Sequence, residues 1–251
     1  MGLPKTSLKV LVEETPEQAT ALAGELVKTI MCDAVSERGA CHIALAGGTT
    51  PHLLYQQLAT SCASGEVPWG QVQVFFGDER DVPHDHVESN YHMAQKTLLD
   101  HVPVEPSAVH PMPADSTDLP QAAADYEQSI RRIVPGEPPR FDLVLLGLGA
   151  DGHTASLFPG TDAVAETSKL VTSNFVPVLG RHRMTFTFPL INAARCVILL
   201  VTGEDKADAV AALLGDDEAA RKDLPAARLT LDANFILVLD AAAARRTNLR
   251  V

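Results

Sequence analysis

Five short apolar runs, at residues 42–46, 72–76, 143–146, 197–201 and 235–239, punctuate the chain, and the first four each lead within one residue to a glycine and a polar stretch. Runs of four or five residues, partly β-branched and bounded by glycine, are too short for helices and suit buried strands. Between them, residues 53–59, 91–99, 122–133 and 205–214 carry apolar side chains at helical spacing. The alternation predicts a parallel sheet whose strands are joined by helical crossovers. A first helix is expected after Thr15, because Thr15-Pro16-Glu17-Gln18 combines an N-cap, a first-turn proline and a capping-box glutamine. It should run to about Arg38 and stop at Gly39. Residues 135–140 read as a loop rather than a domain linker, since a strand follows at once.

In an open parallel sheet the carboxyl ends of the strands share one edge, and ligands bind there. Four polar stretches fall at such ends: Gly47-Gly48-Thr49-Thr50-Pro51, Gly77-Asp78-Glu79-Arg80, Gly147-Leu148-Gly149-Ala150-Asp151-Gly152-His153 and Gly203-Glu204-Asp205-Lys206. Segments far apart in sequence are therefore expected to meet in one cleft.

With 251 residues, 46% of them hydrophobic, the chain suits one well-buried α/β domain spanning 1–251, although the length also admits two small ones. No apolar run approaches the roughly 18 residues that cross a bilayer, and residues 1–12 lack the charged-then-apolar layout of a secretory signal. A soluble, cytoplasmic protein with no membrane partner is expected. Cys32, Cys41, Cys62 and Cys196 lack paired spacing, which favours buried, reduced thiols over a disulfide framework or zinc ribbon. A formal charge of −12 repels nucleic acid. An anionic ligand would need the few basic residues gathered at one place.

Each motif has a plain reading beside a functional one. The turn Gly47-Gly48-Thr49 offers backbone N–H groups that can cradle a phosphate at a helix start; an ordinary βα turn with a threonine cap accounts for it equally well. It fits neither the Walker loop nor GxGxxG, so nucleotide binding is not indicated. Asp78, Glu79 and Arg80 by themselves suit a solvated loop. Their place after the very apolar run 72–76 points instead to a site, with Arg80 as a fixed cation for an oxyanion or phosphate and Asp78 and Glu79 orienting it or contacting sugar hydroxyls. His153 lies beyond a glycine-rich turn and two residues after Asp151, and histidine is suited to proton transfer near neutral pH. Arg181 and Arg183 precede an apolar alternation that puts Arg183 and Thr185 on one face of a strand. Exposed arginines on an edge strand explain that pattern as well as ligand contact does. His84, His86 and His92 match no recognised ligand spacing, and no metal or other cofactor is expected.

The segments ALAGGTTP, FFGDERDVPHDHVESNYHMA, FDLVLLGLGADGHTASLFPG and TFTFPLINAA resemble the 6-phosphogluconolactonase family in order and spacing, over nearly the whole chain. The GDER and DGHTASLFP segments are the specific ones. The resemblance implies a Rossmann-like α/β fold, an open and mostly parallel sheet with helices on both faces, and a cleft for a six-carbon sugar phosphate. It assigns His153 as general base, Arg80 as the arginine of the acidic-basic turn, and Gly47, Gly48 and Thr49 as the phosphate-side loop. Arg183 and Lys206 correspond to basic groups near the phosphate, with Arg181 a competitor for that place. Three departures stand out: Asp81 replaces the family's usual aromatic after GDER, His92 follows SNY where a small residue is common, and residues 175–180 are less proline-rich. They bear on affinity and loop packing rather than on reaction type.

A δ-lactone is an activated ester, so its hydrolysis needs one base and one oxyanion site, and neither a covalent nucleophile nor a metal. The expectation is that neutral His153, held by Asp151, deprotonates the water attacking C1 and then protonates the departing ring oxygen. Arg80 would meet the developing negative charge, and Asp78 the sugar hydroxyls. The phosphate would be gripped by the Gly47 turn, Lys206 and Arg183. Two rivals stay open at this point. Glucosamine-6-phosphate deaminases resemble the chain and share an Asp-Gly-His turn, but typically continue into an apolar-Asn-Glu-Pro stretch and carry an aromatic where Arg80 stands. A sugar-phosphate sensor would need a DNA-binding module, and only about the first 40 residues precede the first motif. The oligomeric state is open, a monomer being compatible, as is closure of residues 84–88 over substrate.

Overall fold

The computed structural model describes residues 8–61, 67–229 and 234–249. In chain order the strands are β1 (Lys9–Glu13), β2 (Cys41–Leu45), β3 (Val72–Phe76), β4 (Asp78–Arg80), β5 (Leu143–Leu146), β6 (Val171–Val176), β7 (Arg181–Phe186), β8 (Cys196–Val201) and β9 (Asn234–Asp240). Six of them form a sheet in the order β1-β9-β8-β5-β2-β3, and β4-β7-β6 form a second sheet. Every pairing in the first is parallel, and both pairings in the second are antiparallel. Strands β2, β5 and β8 are buried at every position, as strands covered on both faces must be. Helices flank the parallel sheet, giving a Rossmann-like α/β fold.

The first helix, Pro16–Arg38, has the expected boundaries. Thr15 Oγ1 accepts from the Gln18 N–H while Gln18 Oε1 accepts from the Thr15 N–H, and Gly39 closes the helix at φ 77°. Its buried positions Ala19, Ala23, Val27, Met31 and Ala34 recur at intervals of three or four and form the stripe that joins the core. Helix Thr49–Ser61 starts before its apolar pattern does, because its first turn is made of the polar residues that also end the glycine turn. Among the described residues no helix is long and apolar enough to cross a membrane. Cys41 and Cys196 are buried, and burial pushes both thiols up, Cys196 to about 11. Cys32 is only half-buried, and Cys62 lies outside the described residues.

Two features of the second sheet depart from the sequence reading. Asp78, Glu79 and Arg80 form a strand and not a turn. The chain changes sheets at Gly77, whose N–H donates to the Leu45 carbonyl of β2 at 2.9 Å and whose carbonyl accepts from the Phe186 N–H of β7 at 2.8 Å. Strand β7 is the middle strand, so Arg181 and Arg183 do not sit on an edge. Its second partner, β6, reads VTSNFV and is too polar to be recognised as a buried strand from sequence.

From β2 the chain steps outward to β3, whereas from β5 it steps the other way, to β8 and then β9. The order therefore reverses between the neighbours β2 and β5. Loops leaving their carboxyl ends part company there and open a crevice.

Candidate active site

The crevice is a cleft of about 200 Å³ to which all four polar stretches contribute. Its walls include Gly47, Gly48, Thr49, Thr50, Asp78, Arg80, Gly149, His153, Ala155, Thr202 and Lys206. Asp151 and Arg183 are not in the wall; Asp151 holds His153, which is, and Arg183 is the cross-strand partner of Arg80, which also is.

The Gly47 turn is held rigidly. The buried Tyr55 hydroxyl accepts from the Ala46 N–H at 2.9 Å and donates to the Ala46 carbonyl at 2.8 Å. The Thr50 and Thr202 hydroxyls lie 2.8 Å apart and tie the turn to the end of β8. A Cβ on Gly47 would fall 1.8 Å from Asn90 Oδ1, so only glycine fits. Thr49 opens the following helix, where N–H groups without intrahelical partners favour an anion.

After β5 the backbone folds back on itself: the Gly149 N–H donates to the His153 carbonyl at 2.8 Å, and the Gly152 N–H to the Gly149 carbonyl at 3.0 Å. A Cβ on Gly149 would fall 2.0 Å from His153 Nδ1. Asp151 Oδ1 lies 2.5 Å from the same nitrogen and 3.2 Å from the His153 N–H. With a carboxylate at Nδ1, the neutral ring carries its proton there and leaves Nε2 as the acceptor. Partial burial works to raise the Asp151 carboxyl, but the charge and hydrogen bonds of His153 outweigh it and hold the group below the ordinary carboxylate range. Phe158 stacks on the imidazole, with ring centroids 4.0 Å apart and planes at 19°.

Ser156, three residues past the histidine, is bound to every strand of the second sheet. Its N–H donates to Thr185 Oγ1 of β7 at 3.2 Å, its hydroxyl to Asp78 Oδ2 of β4 at 2.6 Å, and its carbonyl accepts from Asn174 Nδ2 of β6 at 2.8 Å. Asp78 is buried and also accepts from Asn90 Nδ2 at 3.1 Å. The antiparallel sheet thus fixes the loop that carries His153. Phe158, Ser156, Asn174 and Asn90 were not given roles from the sequence, and Thr185 was placed only on the strand face of Arg183; polar residues at alternate positions of a strand were the available signal for Asn174 as well.

Glu79 does not orient the Arg80 guanidinium. Fully buried, it accepts from the N–H groups of Arg80, Asn90 and Tyr91 and from the Ser89 hydroxyl, all between 2.7 and 2.9 Å. Its charge faces the start of helix Asn90–Thr97, where N–H groups converge. Desolvation pushes its carboxyl up, against those hydrogen bonds.

Arg80 lines the cleft and donates from Nη1 to the Glu88 carbonyl at 2.6 Å. Arg183 lies opposite it in register on β7. Arg181 is engaged elsewhere, with Nε and Nη2 each 2.9 Å from Asp81 Oδ1 and Nη1 3.2 Å from Glu88 Oε2. Asp81, the departure from the family pattern, is therefore the anchor of Arg181. Arg183 is more enclosed, with its side chain 13% exposed, and sits 3.5 Å from Asp81. Burial, and then the neighbouring Arg80, lower its pKa. Lys206 pairs with Asp205 at 2.9 Å. Residues 84–88 are tied down by Arg80, by Arg181 and by a 2.8 Å contact between His84 Nε2 and the Met112 carbonyl.

Residues 14–237 match the family described as glucosamine-6-phosphate isomerases/6-phosphogluconolactonase. A 6-phosphogluconolactonase from Synechocystis is 42% identical over 220 residues, covering 86% of this chain and 89% of its own. Another, from Nostoc, is 38% identical over 244 residues, covering 94% and 98%. The solved structure of 6-phosphogluconolactonase from Trypanosoma brucei superposes with a TM-score of 0.84 at 32% identity, over 95% of this chain and 98% of that one. The chain therefore belongs to the glucosamine-6-phosphate isomerase/6-phosphogluconolactonase family.

Proposed function

We propose that the chain hydrolyses 6-phospho-D-glucono-1,5-lactone to 6-phospho-D-gluconate, the lactonase step of the oxidative pentose phosphate pathway, with His153 as general base. The observation that carries the mechanism is the His153 ring, whose Nδ1 is held by Asp151 while the ring lines the cleft. Nε2 takes a proton from water as its oxygen bonds to C1. The carbonyl pair moves onto the oxygen, then returns as the bond from C1 to the ring oxygen breaks, and the imidazolium protonates that leaving oxygen. Asp151 stabilises the imidazolium between the two transfers.

The register of Arg80 with Arg183 supports a place for Arg80 beside the phosphate, in addition to the oxyanion expected of it. Two neighbouring cations match a phosphate dianion better than the single transient charge on a carbonyl oxygen. We assign both to the phosphate, together with Lys206 and the N–H groups of Gly47, Gly48 and Thr49. The developing charge on the carbonyl oxygen lies in the positive field of the same cluster. Asp78 faces the sugar hydroxyls, and no metal takes part. The segment after the Asp-Gly-His turn, Thr154-Ala155-Ser156-Leu157-Phe158-Pro159, favours the lactonase over the deaminase reading. The whole chain acts as one unit in the cytoplasm, with no nucleic-acid partner.

The test is acid release from freshly generated lactone, with spontaneous hydrolysis subtracted and EDTA present. Turnover should be unaffected by EDTA, and His153→Ala should lower it about 10²–10⁴-fold without loss of fold. An unchanged rate in His153→Ala removes the histidine from its role. Absence of turnover in folded wild type overturns the lactonase reading itself.

A further inference from the structure

We propose that Phe158 is a positioning residue for His153, fixing the plane of the imidazole so that Nε2 keeps its aim into the cleft; this rests on the reading of His153 as the base. Phe158 is buried and absent from the cleft wall, so it reaches the reaction only through the imidazole on which it stacks. The carboxylate at Nδ1 belongs to Asp151, whose side chain is 45% exposed. A hydrogen bond at one nitrogen fixes one point of a ring and leaves the ring free to pivot about it. A near-parallel neighbour at 4.0 Å removes that freedom.

Such a neighbour is useful only if it is itself fixed, and Phe158 is. Its carbonyl accepts from the Thr161 hydroxyl at 2.8 Å, and that hydroxyl accepts from Asn174 Nδ2 at 3.0 Å. The same Asn174 amide holds the Ser156 carbonyl at 2.8 Å. One side chain on β6 therefore anchors the loop on both sides of Phe158, and the stack is referenced to the second sheet rather than to solvent-exposed groups.

A merely structural phenylalanine would lower stability and leave the folded enzyme's chemistry alone. We expect Phe158→Leu to lower kcat about 10- to 10²-fold, the scale for small misplacement of a catalytic group, with KM changed less than about threefold because no substrate contact is lost. Phe158→Tyr, which keeps the ring, should stay within about threefold of wild type. Histidine-selective NMR supplies a readout independent of turnover: the His153 ring-proton signal, assigned by its loss in His153→Asn, should be shifted upfield by the aromatic ring current in wild type and in Phe158→Tyr, and should lose that shift in Phe158→Leu. Unchanged kcat in folded Phe158→Leu overturns the proposal, as does equal loss in Phe158→Leu and Phe158→Tyr. Absence of the upfield shift in wild type overturns it even where Phe158→Leu fails to fold. If His153→Ala keeps the wild-type rate, it is the base assignment that fails, and the NMR signature separates that outcome from a missing stack.

Discussion

Arg80 and Arg183 face each other in register on the adjacent antiparallel strands β4 and β7, so their side chains leave the same face of the sheet. Like charges directly opposite are unfavourable by roughly 0.2–1 kcal/mol, and Asp81, 3.5 Å from Arg183, offsets this only in part. An arrangement that is costly when empty and favourable with a dianion between the cations is what an anion site requires. Arg183→Gln should therefore raise KM for the phosphorylated lactone about tenfold or more. Thermal stability should be unchanged or slightly higher, and turnover of unphosphorylated gluconolactone little affected. Equal losses on both substrates would place Arg183 away from the phosphate.

Gly149→Ala is expected to behave like loss of the base. The added methyl would sit 2.0 Å from His153 Nδ1 and 2.6 Å from Asp151 Oδ1, so the imidazole must leave its position. Turnover should fall about 10²-fold or more, while circular dichroism and the melting midpoint change little, because the side chains that move are half-exposed.

Ser156→Ala removes the donor to Asp78 and leaves a buried carboxylate with less compensation. A loss of about 1–3 kcal/mol is expected, measurable by urea unfolding, together with reduced kcat, since the loop carrying His153 loses its link to β4. Retained stability would mean that Asp78 finds another donor.

Glu79→Gln tests the anion at the start of helix Asn90–Thr97. All four groups around this carboxylate are donors, so an amide NH2 would confront two of them. About 2–4 kcal/mol of destabilisation is expected, although the substitution removes a carboxyl that burial disfavours in its charged form.

Stability should decline on the acid side in two stages. Burial, with His42 nearby, pushes His110 below its usual range, so the unfolded chain takes up a proton first as pH falls. Its contribution is present above about pH 6.5 and is lost as pH drops from there through the folded value. Asp142 behaves alike at lower pH. Burial works to raise it, but hydrogen bonds from His42 and the charge of Arg38 prevail and lower it, so its contribution fades below about pH 4. His110→Gln should flatten the melting-midpoint profile between about pH 5 and 7, and leave the lower stage in place.

The parallel sheet was legible because its strands are continuous apolar runs closed by glycine, a pattern set by burial on both faces. The first helix was legible to the residue because Thr15 and Gly39 are local signals. Strands β4 and β6 were not, since Asp78, Asn174 and their neighbours are buried by hydrogen bonding to distant partners, which leaves no apolar periodicity to read. The same holds at the site. His153, Asp151 and the glycine turns follow from local chemistry, whereas the stack of Phe158 and the register of Arg80 with Arg183 depend on how the chain returns to itself.

The Asp142 carboxylate gathers Arg38, Arg195 and the His42 N–H at the amino ends of β2, β5 and β8. That is the edge of the sheet opposite the cleft. Robustness to acid and heat can accordingly be redesigned at one rim of the molecule while selectivity is redesigned at the other, and changes made at the two rims should combine additively.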